Sequence, residues 1–228
     1  MLEKLRDFTL FEWMLWSGSV LLTVGAFLLF DRGSWLSLAA SLIGVTSLIF
    51  AAKGNPAGPG LMIVFSVLYG IISLSFRYYG EMVTYLGMTL PMSVFSLAAW
   101  LRHPYAGERS QVEVSRLTPR TLALTAVLTA AVTAVFWVIL ARLGTANLVP
   151  STVSVATSFA AAALTFLRSP YFALAYAAND GVLIVLWTLA VREDVGYLSV
   201  LLCFVVFLVN DLYGFVNWKR MARQQAKG

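Results

Sequence analysis

The chain consists mostly of long apolar runs, separated by short segments that contain charged residues, glycine or proline. Each run is continuously apolar for about 18 to 22 residues, the length that an α-helix needs to cross a hydrocarbon core. A membrane strand would instead alternate apolar and polar residues over about 10 positions. The pattern therefore predicts eight transmembrane helices, at residues 13–30, 35–52, 60–77, 82–101, 121–141, 147–167, 171–191 and 196–218.

The composition agrees with these apolar runs, because 60% of the 228 residues are hydrophobic and only 12% are charged. A soluble domain carries about 25% charged residues, so the chain cannot cover itself with an ordinary water-facing surface. The spans leave only short connections, which excludes a separate soluble catalytic domain of the usual size. We expect an all-α polytopic protein that acts within the lipid bilayer. Its first apolar run lacks a small-residue cleavage pattern and is interpreted as a retained helix.

The basic residues predict how the helices are oriented. With eight spans both termini lie on one side of the membrane, and twelve of the 16 Lys and Arg residues fall on that side. The other four are Arg32, Arg77, Arg142 and Arg192. Because basic residues accumulate in cytoplasmic loops, we expect both termini to be cytoplasmic. The longest loop, about residues 101–120, is expected to be a solvated connector, and the chain has no basic block suited to nucleic acid.

The two halves of the chain contain similar landmarks in the same order. The pairs are Lys53 with Arg168, Pro56 with Pro170, Arg77 with Arg192 and Trp100 with Trp218. Each unit has three helices, so one linker helix must return the chain if both units are to have the same orientation. Parallel repeats of this kind occur in transporters that bind substrate near the membrane midplane. We expect an extra first helix (1–33), a first three-helix bundle (34–102), a loop and linker helix (103–144), a second bundle (145–220) and a tail (221–228).

Asp180 lies about halfway along the seventh span, near the centre of the bilayer, where an aspartate costs about 2.5–3.5 kcal/mol on insertion scales. Three residues share its helix face: Tyr176, Leu183 and Trp187. The neighbouring Asn179 adds an amide that can donate and accept hydrogen bonds. We expect this face to bind substrate. The alternative is that Asp180 only hydrogen-bonds a neighbouring helix.

Other spans contribute further polar and aromatic candidates. Asn210, Tyr213, Gly214 and Asn217 fall at helical spacing in the last span, and Asp211 lies beside them. Trp218 is interpreted as an interfacial anchor. In the first half Tyr69 and Ser73 share a face, and Arg77 and Glu81 are expected to pair at the outer rim. The additional candidate substrate-binding residues are Tyr69, Ser73, Trp100, Asn210, Asp211 and Tyr213.

The residue types exclude several kinds of enzyme site. The one histidine, His103, lies in a loop, so a histidine zinc site or nucleophile triad within the membrane is excluded. The one cysteine, Cys203, allows neither an intramolecular disulfide nor a cysteine metal cluster. The glycine-rich segment 54–60 lacks the Lys-Ser/Thr of a phosphate loop. Asp180 and Asp211 can in principle form an acid/base pair, but we expect a protein that is not an enzyme and needs no cofactor.

Several short segments of the sequence resemble the PnuC family of bacterial nicotinamide riboside transporters. The likeness extends over residues 50–220 as short segments in a fixed order. They are Ala52-Lys53-Gly54, Leu68 to Ser73, Tyr79-Gly80-Glu81, Pro91-Met92, Trp100, Arg168 to Tyr171, Asn179-Asp180, Leu186-Trp187, Asn210 to Phe215 and Trp218. The resemblance implies a SWEET-like fold, in which two three-helix bundles are joined by a linker helix, and a homotrimer in the bacterial inner membrane.

The resemblance also implies facilitated diffusion of nicotinamide riboside, which a cytoplasmic riboside kinase then traps by phosphorylation. This chain has Ala177-Ala178 before Asn179, where nicotinamide riboside carriers have a Trp-Phe pair. Other ligands therefore stay open, among them thiamine, riboflavin and other nucleosides. A flat ring can stack on Trp187 or Tyr176, and amides can bind ribose hydroxyls. A proton-coupled carrier that uses Asp180 is a further alternative.

Overall fold

The structure is a computed structural model that describes residues 8–30, 35–75, 79–145, 147–193 and 195–227. Within these ranges, eight helices are long and apolar enough to cross a membrane. They coincide with the eight predicted spans, and the last one continues beyond its predicted end to Gln225. The prediction of an all-α polytopic membrane protein is confirmed. Four basic residues that entered the orientation count, Lys4, Arg6, Arg32 and Arg77, lie outside the described residues.

The elements follow one another as helices with a single hairpin in the described loops. The helices are α1 (Leu10–Phe30), α2 (Trp35–Ala52), α3 (Ala57–Ser75), α4 (Tyr79–Thr84), α5 (Leu90–Arg102), α6 (Pro119–Arg142), α7 (Leu148–Phe166), α8 (Tyr171–Val191) and α9 (Leu198–Gln225). Strands β1 (Pro104–Tyr105) and β2 (Glu108–Val112) form the antiparallel hairpin. One span is composite, because α4 continues into α5 through the π-helical turn Tyr85–Thr89.

The π-helical turn in this span has a local cause in the sequence. Pro91 has no N–H to donate, and its ring crowds the carbonyl of the preceding turn. The helix adapts by widening, so that the Leu90 N–H donates to the Tyr85 carbonyl. The Thr89 hydroxyl compensates in part by donating to the Thr84 carbonyl at 3.3 Å. Wide turns of this kind are often found at functional sites.

The helices pack as two triplets that meet along two seams. In the first triplet, α2 packs on α3 and α3 packs on α5; in the second, α7 packs on α8 and α8 on α9. The triplets meet where α2 contacts α9 and where α5 contacts α7. Helix α1 lies against α9 and α2, while α6 lies against α7. A space bounded by both triplets is therefore left between the two seams.

Helix α1 is fastened to both triplets near its beginning. The buried Glu12 carboxylate forms an ion pair with Lys53 at 2.9 Å. It also accepts a hydrogen bond from the Tyr213 hydroxyl at 2.8 Å. Lys53 follows α2 and Tyr213 lies on the last part of α9, so the beginning of α1 and the end of α9 lie at the same end of the bundle. We call this the terminal end.

The loop between α5 and α6 is largely exposed, as expected for a solvated connector, but it also forms an ordered strap that is anchored to both triplets. The Val112 N–H donates to the Gly54 carbonyl at 2.9 Å, and the Ser115 N–H donates to the Arg168 carbonyl at 3.0 Å. Val112 is fully buried. The strap therefore crosses the α2–α3 turn of the first triplet and the α7–α8 turn of the second. The mixed charges of this loop gave no sign in the sequence that Val112 would be buried and would hold the loop in place.

The two turns under the strap have the same backbone geometry. Gly54 has φ +67° and Arg168 has φ +56°, both in the left-handed region. The carbonyls of these two residues are the ones that the strap contacts. Gly54 is therefore the structural counterpart of Arg168, one position away from the Lys53 landmark that the sequence comparison used. A residue with a side chain is strained at such a φ.

Two tryptophans close the space between the triplets at the terminal end. Trp100 and Trp218 are both fully buried, and their ring centroids lie 5.3 Å apart. Phe172 packs edge-on against Trp218, with ring centroids 4.9 Å apart. The interpretation of Trp218 as an interfacial anchor is wrong, because its indole lies in the protein core. The basic residues that follow it, Lys219 and Arg220, made the anchor reading attractive in the sequence.

Candidate functional site

A central cavity of about 130 Å³ lies between the two triplets, above the tryptophan cluster. It is bounded by α2, α3 and α4 on one side and by α7, α8 and α9 on the other, with the π-helical turn and the end of α6 completing the wall. Its polar lining consists of carboxyl groups, hydroxyls and one amide. These residues are Glu81, Thr84, Tyr85, Thr89, Thr145, Ser151, Ser154, Ser158, Tyr176, Asn179, Asp180 and Asp211.

The charged groups of the central cavity are all acidic. Glu81, Asp180 and Asp211 line it, and none of the described residues that line it is Lys, Arg or His. An isolated carboxylate in a membrane interior is costly and is usually paired or faces a water-filled cavity. Three of them around one space, with no basic residue in the described part of its lining, favour a ligand that is itself positively charged.

Asp180 and Asp211 face each other from adjacent helices. Their residues are 3% and 5% exposed, and the two carboxyl groups contact each other. Oδ2 of Asp180 is buried and has no hydrogen-bond partner among the described residues. A buried polar atom without a partner is rare, because such an atom is expensive to desolvate. Asp180 therefore contributes an unsatisfied acceptor at the wall of the cavity.

Asn179 lies beside Asp180 and is held by two hydroxyls of α7. Its Oδ1 accepts from the Ser154 hydroxyl at 3.0 Å and lies 2.9 Å from the Thr157 hydroxyl. These contacts fix the orientation of the amide, so that its oxygen is occupied and its NH₂ group keeps its donors. Asn179 can therefore donate hydrogen bonds to a ligand in the central cavity.

Aromatic rings cover the wall that the first triplet provides. The ring centroids of Tyr69 and Tyr85 lie 4.5 Å apart, and Phe65 lies 5.8 Å from Tyr85. The Glu81 carboxyl contacts the Tyr69 hydroxyl. Tyr85 and Tyr176 both line the cavity. The central cavity thus presents aromatic surface beside its carboxyl groups, which suits a flat, positively charged ring.

A layer of three phenylalanines separates the central cavity from a second one of about 330 Å³. Phe65, Phe204 and Phe207 line both cavities, and Phe207 lies 6.4 Å from Phe65 and 5.8 Å from Phe204 between ring centroids. The second cavity lies farther from the terminal end. Trp187 stands in it and stacks on Phe204 with an interplanar angle of 15°.

One face of α8 passes through all of these levels. Phe172 belongs to the tryptophan cluster, Tyr176 and Asp180 line the central cavity, and Trp187 lines the second cavity. The shared face that the sequence predicts for Tyr176, Asp180 and Trp187 is present. A rise of about 1.5 Å per residue nevertheless places Trp187 about 10 Å from the level of Asp180.

The structure distributes the predicted site residues over four places. Tyr176, Asn179, Asp180 and Asp211 line the central cavity, and Tyr69, Ser73 and Trp187 line the second one. Asn210 donates to the Ser19 hydroxyl of α1 at 3.0 Å, and Tyr213 donates to Glu12. Trp100 belongs to the tryptophan cluster. Four of the ten predicted residues are thus brought together around the central cavity.

The sequence analysis missed several residues of the central cavity. Ser151, Ser154 and Ser158 follow helical spacing on α7, a pattern that was visible in the sequence. Glu81 lines the cavity, although the sequence suggested a rim pair with Arg77, which lies outside the described residues. Tyr85 reaches the cavity through the π-helical turn, for which Pro91 was the signal in the sequence. No group of three potential metal ligands occurs among the described residues.

Comparison with known proteins agrees with this architecture. The family model described as nicotinamide mononucleotide transporter matches residues 34–220. The nicotinamide riboside transporter PnuC of Neisseria mucosa is 29% identical over 202 residues, which cover 86% of this chain and 76% of that protein. The Haemophilus influenzae protein of the same name is 21% identical over 192 residues, which cover 84% of this chain and 82% of that protein.

A solved structure is also similar. The crystal structure of the vitamin B3 transporter PnuC matches with a TM-score of 0.82 at 27% identity, over 96% of this chain and 94% of that one. The resemblance noted in the sequence is thereby confirmed. Since the family model covers well over half of the chain, the protein is a membrane transporter, not an enzyme, and belongs to the nicotinamide mononucleotide transporter family.

Proposed function

We propose that the protein carries nicotinamide riboside, a pyridinium nucleoside with a fixed positive charge, across the membrane by facilitated diffusion. The relatives from Neisseria mucosa and Haemophilus influenzae are both named nicotinamide riboside transporters. The observation that carries the proposal for this chain is the charge of the central cavity. Three carboxyl residues line it without a basic residue among the described lining.

The same charge distribution distinguishes the riboside from the mononucleotide that the family description mentions. A phosphate group is bound in proteins by Arg, Lys or backbone N–H groups at helix N-termini. The central cavity offers Glu81, Asp180 and Asp211 instead. Like charges at close range cost several kcal/mol. The cavity therefore favours the cationic riboside over its anionic phosphorylated form.

The lining residues have separate roles in this proposal. The carboxyl pair of Asp180 and Asp211 balances the pyridinium charge. The rings of Tyr85 and Tyr176 supply stacking and cation–π surface. The NH₂ group of Asn179 donates to a ribose hydroxyl. Trp187, in the second cavity, lies on the route between the central cavity and the end of the bundle opposite the termini.

Transport requires that the central cavity open alternately to the two sides of the membrane. The terminal end is closed by Trp100, Trp218 and the strap, and the site lies between the triplets. We propose that the triplets rock against each other about this site, as in other transporters built from repeats. The division into an extra helix, two bundles and a linker is part of this proposal, and the contacts between triplets support it.

The proposal also includes the orientation of the protein in the membrane, the fate of the riboside after uptake and the oligomeric state. The twelve basic residues on the terminal side, against four on the other, support an orientation in the bacterial inner membrane with both termini in the cytoplasm. A cytoplasmic riboside kinase would consume the riboside on arrival, so that its gradient persists without ATP use by the transporter. The family resemblance supports a homotrimer, which mass determination in nanodiscs tests directly.

Uptake into proteoliposomes tests the proposal. Labelled nicotinamide riboside should equilibrate into vesicles with the wild-type protein and should stay outside with Asp180→Asn. Glu193→Gln is the matched control, since it removes an exposed carboxylate after α8. Uptake by Asp180→Asn at the wild-type rate would contradict the assignment of the site.

Thiamine is the second candidate substrate. It also carries a fixed positive charge on an aromatic ring, so the acidic lining of the central cavity suits it as well. Riboflavin and uncharged nucleosides have no charge for Asp180 and Asp211 to balance. A thermal-shift panel of ribosides and B vitamins on purified protein should rank the cationic compounds first, and the larger shift decides between nicotinamide riboside and thiamine.

A further inference from the structure

We infer that the empty central cavity holds one proton shared between Asp180 and Asp211, and that a cationic ligand displaces this proton when it binds. The inference rests on the proposed function, because it concerns the same cavity and the same class of ligand. It identifies what balances the charge of the site when no ligand is present.

The geometry of the pair requires a proton. Both residues are more than nine-tenths buried, and their carboxyl groups contact each other. Two carboxylates in contact and shielded from water cannot both be ionised, because they repel each other. Two carboxyl groups can bond to each other only if one of them donates a proton. Oδ2 of Asp180 remains without a partner among the described residues.

Among the residues that the structure describes, the lining of the cavity contains no Lys, Arg or His that would supply a compensating positive charge. Helices α2 and α3 contribute apolar side chains to the cavity, and α7 contributes hydroxyl and apolar side chains. Lys53 does not line the cavity and pairs with Glu12 at the terminal end. The other titratable groups that face the pair are neutral or acidic. They are Glu81, Tyr85, Tyr176 and Cys203.

A cationic ligand takes over the role of the proton. With the pyridinium in the cavity, both Asp180 and Asp211 can be ionised, because the ligand charge compensates the second carboxylate. The O–H bond of the carboxylic acid breaks, the proton passes to water, and no bond of the ligand changes. The net charge of the pair and its occupant is then minus one in both the empty and the loaded protein, so ligand binding does not change the charge buried in the membrane interior.

The direction of the pH dependence follows from this exchange. Because binding releases a proton, a higher pH favours the loaded state and a lower pH favours the empty one. The affinity for a cationic ligand should rise with pH by at most about tenfold per pH unit where the empty pair is protonated. An uncharged ligand of the same shape should bind without this dependence.

The test is a titration of purified protein with nicotinamide riboside in weakly buffered solution that contains a pH indicator. Calorimetry on the same samples counts the ligand bound. The wild-type protein should release about one proton per ligand bound. Asp211→Asn should release almost none per ligand bound, since an asparagine amide can bond to Asp180 without a shared proton. Glu193→Gln should behave as the wild type.

A second ligand keeps the test independent of any variant. The dihydro form of nicotinamide riboside has lost the ring charge but keeps the size, and it should release no proton from the wild-type protein. Binding of the cationic riboside without proton release would overturn the inference while the proposed function stands. Equal release with Asp211→Asn or with the dihydro form would also overturn it. Absence of binding would refute the proposed substrate and the inference together.

Discussion

Trp100 and Trp218 each donate a hydrogen bond to a backbone carbonyl of the opposite triplet. The Trp100 Nε1–H, on α5, donates to the Thr165 carbonyl of α7 at 2.9 Å, and the Trp218 Nε1–H, on α9, donates to the Ala51 carbonyl of α2 at 2.8 Å. Each tryptophan thus reaches the terminal end of a helix in the other triplet. The two indoles also contact each other, so one buried cluster holds both seams closed at the terminal end.

Replacing either tryptophan with phenylalanine should loosen this end of the protein. Trp100→Phe and Trp218→Phe each remove a buried indole hydrogen bond and leave a small cavity, at a cost of about 1–3 kcal/mol. Thermal unfolding in detergent should show a lower Tm for both. Trp137→Phe is the control, because Trp137 is 42% exposed on α6. If all three variants melted together, the cluster would have no special role in stability.

Gly54→Ala should destabilise the protein more than the same change at Gly144. Both glycines have φ +67°, so alanine is strained at either position. At Gly54 the added Cβ would also lie 2.6 Å from Cε of Met221, whereas at Gly144 nothing lies within 4 Å. Thermal unfolding of the two variants separates the contact from the backbone strain. Equal losses would mean that the packing of Gly54 under α9 contributes nothing.

The spans were predictable because long apolar runs are a strong and local signal. The distribution of the predicted site residues over two cavities was not predictable, because residues on one helix face can lie at different depths in the membrane. Asp180 and Trp187 share a face of α8 but lie in different cavities, separated by phenylalanines from α3 and α9. Only the packing of distant segments brings Phe65 and Phe207 between them. The role of Trp218 was hidden for the same reason, since its partner carbonyl belongs to Ala51.

The hydroxyls that hold Asn179 should matter for affinity. Ser154→Ala with Thr157→Val frees the Asn179 oxygen and allows the amide to turn, so a ligand loses its oriented donor. We expect roughly tenfold weaker binding of nicotinamide riboside, which corresponds to about 1.4 kcal/mol. Calorimetric titration measures it. Thr188→Val is the control, because the Thr188 hydroxyl donates to the Ile184 carbonyl of its own helix and Thr188 does not line the central cavity.

An outcome in which the double variant binds like the wild type would contradict this role. Asn179 would then be oriented by the ligand itself, and its bonds to Ser154 and Thr157 would serve only the packing of α7 on α8. Retained thermal stability of the variant is the accompanying check, since a folding defect would lower the amount of bound ligand without changing the affinity of the folded fraction.

Trp187→Ala should slow transport without abolishing binding. Trp187 lines the second cavity and stacks on Phe204, so its loss disturbs the route and leaves the polar residues of the central cavity in place. Equilibrium binding of nicotinamide riboside should stay within about threefold of the wild type, while the initial rate of uptake falls by more than about tenfold. Complete loss of binding would instead place Trp187 in the substrate site itself.

Competition for uptake tests the central claim most directly, because the claim concerns the charge that the cavity accepts. Wild-type proteoliposomes take up labelled nicotinamide riboside in the presence of unlabelled riboside or unlabelled nicotinamide mononucleotide. We predict that the mononucleotide competes at least about a hundredfold more weakly, since its phosphate meets Glu81, Asp180 and Asp211. Equal competition by the two compounds would contradict the account.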